Sequence, residues 1–191
     1  GWHIECSAMA EKLLGDTFDI HGGGTDLIFP HHENEIAQST CAHGGKALSN
    51  YWMHNGMLEL SGEKMAKSVG NVQTAHGLLA LWPGDVLRLQ MLMTHYRHPL
   101  DWTDAGSREA KTILDRWYQI VDGVEPVANM PSGVLAAFED DLNTPAAIAE
   151  MHKLANAAGQ GSSSAPAELK AAGLFFGLFA MASENWRRWT P

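Results

Sequence analysis

The chain has 191 residues, 45% of them hydrophobic and 18% charged, and its formal net charge is −9. This composition predicts a folded protein of one or two domains and excludes a disordered chain. The negative charge argues against a general nucleic-acid binder, so any contact with a polynucleotide would need a local basic patch.

The sequence also favours a cytoplasmic protein. No apolar run approaches the roughly 18–20 residues that cross a bilayer, and no secretion signal precedes the first predicted helix. Cys6 and Cys41 are the two cysteines, too few for a disulfide framework. Because the chain starts without Met and runs directly into ordered-looking sequence, we interpret it as a piece of a longer protein.

Residues 1–14 are predicted to form a helix. Their apolar side chains recur at helical spacing, and Gly15 follows at a position where helices often end. Cys6 lies early on this helix. It is either a small buried hydrophobic residue or, with suitable partners, a metal ligand.

A short strand over 18–21 is predicted to run into a glycine turn at 22–24. Three successive glycines either form a flexible turn or let the backbone approach a ligand closely. Asp26 follows directly, where a carboxylate could bind ribose hydroxyls or an amine.

The next helix is predicted over 30–42, opened by Pro30, which suits a first helical turn. His31 and Glu35 are four residues apart and would share one face of this helix. Such a pair is often only a solvated ion pair, but Cys6 would add a soft ligand. Cys, His and Glu all bind zinc, and three protein ligands leave a fourth position open.

Two further residues compete as ligands of this predicted site. His32 would point about 100° away from His31 on an ideal helix, and Cys41 lies two turns beyond Glu35. We therefore predict that both are structural.

Residues 51–60 are predicted to form a hairpin or turn around Asn55 and Gly56. Beyond it, Lys64 and Lys67 lie three residues apart in a loop bounded by Gly and Ser. They belong either to a solvated surface or to a phosphate clamp, since Lys is a mobile point charge.

The remainder of the chain is predicted to be helical. A helix over 74–82 precedes one over 85–96, which is apolar nearly all round and therefore buried. From residue 104 onward the strand signals disappear. Four helices with short connections then predict an antiparallel bundle, over 105–121, 133–142, 145–158 and 167–182.

Six motifs occur in a fixed order along the chain. They are Gly-Trp-His-Ile-Glu-Cys at 1–6, His-Gly-Gly-Gly-Thr-Asp-Leu at 21–27, Phe-Pro-His-His-Glu-Asn-Glu at 29–35, Lys-Met-Ala-Lys-Ser at 64–68, His-Tyr-Arg at 95–97 and Asp-Asp-Leu-Asn-Thr-Pro at 140–145. Together they resemble the cysteinyl-tRNA synthetases over nearly the whole chain.

The resemblance implies an α/β region followed by an all-α region. Residues 1–60 would be the second half of a class I Rossmann-like catalytic domain with its zinc site. Residues 61–103 would hold the signature loop and a helical connecting subdomain. Residues 104–191 would form a four-helix bundle that supports the tRNA stem.

The resemblance also implies a reaction and its cofactors. It implies the ATP-dependent attachment of cysteine to tRNA(Cys) through cysteinyl-adenylate, with active-site Zn²⁺ selecting the thiolate and Mg²⁺ accompanying the ATP. It places the zinc ligands at Cys6, His31 and Glu35, which ligand chemistry alone had suggested. The implied partners are tRNA(Cys), L-cysteine and ATP, with no membrane, and we expect a monomer.

The remaining site residues follow from the same resemblance. Lys64 and Lys67 would be catalytic, and Trp2 and Asp26 would bind the substrate. The ATP-binding residues would be Lys67, Ser68, His21, Gly23, Gly24 and Asp26.

This chain departs from the family pattern in two respects. Ala66 stands where Ser is commoner in the signature loop, so one hydroxyl donor is lost while both lysines remain. The family's first ATP signature, which contains His, and its remaining zinc-ligating Cys would lie upstream of Gly1. We therefore expect residues 1–191 alone to be inactive.

Two other functions compete with this interpretation. One is the related ligase that joins cysteine to a glucosaminyl-inositol in mycothiol synthesis. The other is a non-catalytic zinc- or tRNA-binding module. In the helical bundle predicted to support the tRNA stem, the candidate phosphate contacts, or equally a solvated surface, are Arg108, Lys111, Arg116, Arg187 and Arg188. A charging assay with tRNA against the amino sugar separates the two ligases.

Overall fold

The computed structural model describes residues 1–60, 62–65 and 72–189, without the side chains of Glu63 and Lys64. Its residues group into two units. The first contains Gly1–Met57 with Tyr96–Pro99, and the second contains Leu58–His95 with the residues from Leu100 onward. The predicted division into 1–60, 61–103 and 104–191 stays a prediction, because such grouping does not test domain boundaries.

The first unit is a small parallel α/β arrangement. Its elements in chain order are α1 (His3–Leu14), β1 (Phe18–Gly24), α2 (Glu33–Ala42) and β2 (Ser49–Asn55). β1 and β2 pair in parallel, with His21 opposite Trp52 and Gly23 opposite His54. The chain between them crosses over through α2, as parallel pairing requires.

The glycine segment is part of a strand, so the predicted glycine turn is wrong. β1 continues through residue 24, because residues 22–24 pair with residues 53–55 of β2. Glycine weakens a strand but does not prevent it from pairing, and it often marks a place where another group approaches closely.

The second predicted helix begins later than expected. Residues Ile28–His32 form an irregular helical turn, since Phe29 has extended backbone angles of φ −134° and ψ 134°. Regular α2 therefore starts at Glu33 rather than at Pro30, while its end at Ala42 agrees with the prediction.

The second unit opens with short strands and helices. They are β3 (Leu58–Leu60), β4 (Glu63–Lys64), α3 (Ala75–Leu79), α4 (Gly84–Leu92) and β5 (Leu100–Trp102). β3 pairs antiparallel with β4 and parallel with β5. A hairpin around Asn55 and Gly56 is therefore not formed: β2 pairs with β1 and β3 pairs within a different sheet, and residues 56–57 connect them without a regular turn.

Helices make up the rest of the second unit. They are α5 (Asp104–Val121), α6 (Ser132–Glu139), α7 (Thr144–Gly159), α8 (Ala165–Phe175) and α9 (Ser183–Arg188). The four predicted bundle helices are confirmed, but α8 ends at Phe175 instead of near 182. The positive φ angles of Gly177 and Phe179, 69° and 62°, turn the chain there.

The apolar core belongs to these helices. Its fully buried side chains include Leu89 of α4, Leu114 and Trp117 of α5, Met151 of α7 and Leu169 of α8. Within the part of the chain that the structure describes, no helix combines the length and apolarity that crossing a membrane requires.

Candidate metal centre

One face of the two-stranded sheet carries two imidazoles, those of His21 and His54. Side chains alternate along a strand, so His21 and Gly23 share a face of β1, and Trp52 and His54 share the adjoining face of β2. The His21 and Trp52 rings are 4.7 Å apart between centroids. Packing against this face therefore brings a side chain among aromatic and imidazole rings.

The irregular turn before α2 delivers two histidines to the first unit's interior. His31 and His32 are only 7% and 3% exposed. His32 Nδ1 lies 2.7 Å from His54 Nε2. Burial lowers the pKa of both His32 and His54, and the nearby His21 lowers both further. The two rings are therefore held neutral, with lone pairs available for hydrogen bonds or for a metal.

Glu35 lies at the centre of a cluster of possible metal ligands, together with Cys6, His21, His31 and His32. It is 1% exposed. Its Oε1 is 3.1 Å from His31 Nε2 and its Oε2 is 3.0 Å from His21 Nε2. Despite these short distances, neither oxygen has a hydrogen bond of acceptable geometry. A buried carboxylate without aligned donors is costly, and donor atoms that crowd together without bonding one another are the arrangement expected of metal ligands.

Cys6 completes a three-donor set from α1. One ligand atom each from Cys6, His31 and Glu35 lies within 4.8 Å of the others. Two ligands that each bind zinc at about 2.0–2.3 Å are at most about 4.6 Å apart, so small side-chain shifts would let this set hold one ion. Burial, and to a smaller extent the Glu35 charge, raise the pKa of the Cys6 thiol. A cation bound between Cys6 and Glu35 would instead lower this pKa.

A second donor set shares Glu35. His21, His32 and Glu35 also offer ligand atoms within 4.8 Å of one another. The predicted structural role of His32 stays a prediction: its backbone is helical, and the extended residue of the turn is Phe29. The first set contains the thiolate that zinc binds well, so we favour it as the metal centre.

Other residues predicted for the site lie around this cluster. Trp2 is 66% exposed, and its ring centroid is 5.0 Å from that of His31. A Cβ on Gly23 would lie 2.9 Å from His32 Cε1, and one on Gly24 would lie 2.5 Å from Asp26 Oδ1. Local packing thus favours glycine at both positions, and the role of these glycines in ATP binding stays a prediction.

Most of the signature loop lies outside the residues that the structure describes. Lys67 and Ser68 lie outside the described residues, as does Ala66, and Lys64 lies in β4 without a described side chain. Their roles toward ATP stay predictions.

The basic residues proposed as phosphate contacts are engaged within the second unit. Arg108 pairs with Asp104, Lys111 with Asp115, Arg187 with Asp122 and Arg188 with Glu184. Arg116 donates to Asn156 Oδ1 at 2.8 Å and to the Ala155 carbonyl at 3.1 Å. Since each of the other four cations has an acidic neighbour, they do not form a patch of uncompensated positive charge.

Sequence reasoning missed three members of the cluster. His3 lies on the first turn of α1 with its Nδ1 2.7 Å from His31 Nδ1, His32 is buried, and His54 is partly buried. The strand pairing that aligns Gly23 with His54 is a long-range feature. The short spacing of His3 and Cys6 on one helix, however, was available as a signal.

This fold agrees with the comparisons to known proteins. The family described as tRNA synthetases class I (C) catalytic domain matches residues 1–112, and the DALR domain matches residues 133–181. The chain belongs to the class I tRNA synthetases.

Within that class its relatives are cysteine–tRNA ligases. It is 52% identical to that of Chelativorans sp. over 193 residues, 97% of this chain and 39% of the relative. It is also 52% identical to that of Rhodospirillum centenum over 197 residues, all of this chain and 43% of the relative. The chain thus spans about two fifths of the length of the curated relatives it matches.

A solved structure supports the fold. The agnB2 LeuRS of Agrobacterium radiobacter K84, in a ternary complex with tRNA and LeuAMS, superposes with a TM-score of 0.60 at 20% identity, covering 81% of this chain and 24% of that one. With the family matches, this confirms the predicted α/β region followed by an all-α region.

Proposed function

We propose that this chain is part of an enzyme that attaches cysteine to tRNA(Cys), with ATP as co-substrate, through cysteinyl-adenylate. We further propose that Cys6, His31 and Glu35 hold the zinc ion that selects the substrate thiol. The observation that carries the second proposal is the buried Glu35 carboxylate, which lies between imidazoles without an aligned hydrogen bond to either.

The first step would be attack of the cysteine carboxylate on the α-phosphorus of ATP, which releases pyrophosphate. Negative charge then gathers on the phosphate oxygens, and preorganised cations stabilise it. The family motif assigns this role to Lys64 and Lys67, with Ser68 beside them and Mg²⁺ on the ATP. His21, Gly23, Gly24 and Asp26 would border the bound nucleotide.

In the second step the acyl group passes to a terminal ribose hydroxyl of the tRNA. The two relatives named above are cysteine–tRNA ligases, which supports tRNA as acceptor over an amino sugar. Because the family places its first ATP signature outside residues 1–191, we propose that these residues alone do not form the adenylate. We propose a monomeric, cytoplasmic enzyme.

The donor set accounts for selection of cysteine over serine. Packing discriminates poorly between side chains of nearly equal shape. Zinc supplies a borderline-soft Lewis acid, which binds a thiolate strongly and a neutral hydroxyl weakly. Cys6, His31 and Glu35 would occupy three coordination positions of the zinc ion, and further ligands would complete its coordination. Trp2 would border the pocket for the substrate side chain.

The test is zinc content by elemental analysis of the purified chain and of Cys6→Ser, His31→Ala and Glu35→Ala. We expect near-stoichiometric zinc in the parent and its loss in all three variants. Glu33→Ala is the matched control, because Glu33 lies on the same helix but is exposed. Zinc retained in Glu35→Ala, or lost equally in Glu33→Ala, would refute the assignment.

The selectivity proposal needs a second measurement on the full-length enzyme. Glu35→Gln keeps the shape of the side chain and weakens a metal ligand, so it separates ligation from folding. We expect cysteine affinity to fall far more than ATP affinity. Equal losses for the two substrates would contradict a role of Glu35 in selecting the thiol.

A further inference from the structure

His3 contacts the ring nitrogen of His31 that faces away from Glu35. Nδ1 of His3 lies 2.7 Å from Nδ1 of His31, and the two rings meet edge-on with centroids 4.9 Å apart. His31 Nε2 lies 3.1 Å from Glu35 Oε1. The two nitrogens of His31 thus have different partners on opposite sides of the ring.

The position of one proton follows from these contacts. Two imidazole nitrogens at hydrogen-bond distance need one donor and one acceptor. If His31 binds a metal through Nε2, that atom carries a lone pair and the proton is on Nδ1. His3 Nδ1 must then be the acceptor, so the proton of His3 is on Nε2.

We propose that His3 is a positioning residue for the metal centre. Its Nδ1 accepts the Nδ1–H of His31, which selects one tautomer of His31 and fixes its ring plane so that Nε2 faces Glu35. This inference rests on the proposed zinc site, and it assigns His3 no contact with substrate.

The neutral acceptor has a consequence for the site's charge. Ligating histidines usually donate to a carboxylate, a carbonyl or a water. Here Cys6 and Glu35 already contribute two anions to the proposed site, and the family's upstream cysteine would contribute another. An imidazole orients His31 without adding one more negative charge that would repel the substrate's own thiolate.

α1 is held in place independently of this contact. Ser7 Oγ donates to Gln38 Oε1 at 2.7 Å, which ties α1 to α2. One helix therefore supplies both the ligand Cys6 and the residue that orients His31. That residue, His3, lies three positions before Cys6 on the same side of the helix.

The first experiment measures metal affinity of the whole chain by competition with a chromophoric chelator, using zinc alone as the ligand. We expect His3→Leu to weaken binding about 10–100-fold, the usual cost of losing such a partner. His3→Asn should stay within about threefold of the parent, because its Oδ1 can occupy the position of the imidazole Nδ1. Binding of Co²⁺ should show an altered absorption spectrum in His3→Leu alone.

His43→Leu is the matched control. His43 is a partly buried histidine of the same unit, but its Nε2 faces Glu11 and Asp16 at 3.4 and 3.8 Å. Glu11, Asp16 and His43 also offer ligand atoms within 4.8 Å of one another, but both carboxylates are exposed. We expect His43→Leu to remove any weak binding there and to leave the affinity of the tight zinc site equal to that of the parent. Equal weakening in His43→Leu and His3→Leu would overturn the inference, as would equal weakening in His3→Asn and His3→Leu.

A second measurement needs no variant. Imidazole ¹⁵N spectra of the zinc-loaded parent should show His31 protonated at Nδ1 and His3 protonated at Nε2; the opposite tautomers would overturn the inference. If His3→Leu binds zinc as tightly as the parent while Glu35→Ala loses zinc binding, the inference about His3 is overturned and the proposed zinc centre stands. Zinc binding that survives in Glu35→Ala, or is absent from the parent, would overturn both.

Discussion

Asp85, near the start of α4, shows how a single buried residue holds a backbone turn in place. It is 6% exposed, and its Oδ2 accepts hydrogen bonds from Tyr118 Oη at 2.7 Å and from the backbone N–H of Phe179 and Ala180 at 2.7 and 3.3 Å. Phe179 has a φ of 62°, a conformation that costs about 1–2 kcal/mol for a non-glycine residue. Burial and the adjacent Asp85 raise the pKa of Tyr118, which keeps its phenol a donor.

Removing this carboxylate should destabilise the second unit. Asp85→Ala leaves three donors without their acceptor, and we expect a loss of about 3 kcal/mol in the free energy of unfolding. Tyr118→Phe removes one bond and should cost about 1 kcal/mol. Urea denaturation measures both, with Glu125→Ala, an exposed carboxylate, expected to change the value by less than about 0.5 kcal/mol. A loss for Asp85→Ala no larger than that control would contradict the account.

At the scale of elements, local signals in the sequence predict the helices of the second unit well. Asn143 precedes α7 and its Oδ1 accepts from Ala146 N–H, as the capping pattern predicts. Gly15 likewise follows α1. Such ends depend on a few neighbouring residues, so one sequence is enough to find them.

Sequence reasoning fails where distant residues decide the structure. Residues 22–24 extend β1 because β2 pairs with them, and no local pattern encodes that partner. The turn at Phe29 delays the start of regular α2 to Glu33, and the contact of the buried His32 with His54 of β2 joins residues far apart in the sequence. The proposed donors Cys6, His31 and Glu35 could be named from their ligand chemistry. The spacing of His3 and Cys6 was visible too, but the contact between His3 and His31 joins residues 28 apart and needed coordinates.

His152 of α7 makes the stability of the helical unit depend on pH. Its ring centroid lies 5.2 Å from that of Trp117 on α5. Burial lowers the pKa of His152, the Arg116 charge lowers it further, and Glu109 partly opposes both. The unfolded chain therefore binds the proton more readily than the folded one. The stability that the neutral His152 contributes is fully present above the ordinary histidine pKa of 6.5, and it falls as the pH drops below that value.

His152→Gln should reduce this acid sensitivity, because the amide stays neutral. We expect a smaller difference in the free energy of unfolding between about pH 7.5 and about pH 5.5 in the variant than in the parent. His76→Gln, an exposed histidine of α3, is the control and should keep the parent's difference. The account fails if the His152 variant has the same pH dependence as the parent.

At the scale of the whole molecule, the two units differ in what holds them together. Among the described residues, the buried hydrophobic side chains belong to the second unit except for Leu48. The buried residues of the first unit are otherwise polar: Ser7, His31, His32, Glu35, Ser39 and Ser49. Its large apolar side chains Trp2, Leu13, Phe29 and Tyr51 are each at least 66% exposed. Apolar burial, the main stabilising contribution to most folds, is therefore small in the first unit.

A metal ion held by Cys6, His31 and Glu35 would link α1, the irregular turn and α2, and its binding energy would add to the stability of that unit. We expect backbone amides of α1 and α2 to exchange with deuterium much faster than those of α5 and α7 in metal-free chain. Zinc at about 100 times its Kd should slow exchange through the opening of the first unit by about 100-fold. Amides of α5 and α7 should not respond, and Glu35→Ala should abolish the effect on α1 and α2. Equal protection of both units without zinc would show that the first unit is stabilised by something other than its donor cluster.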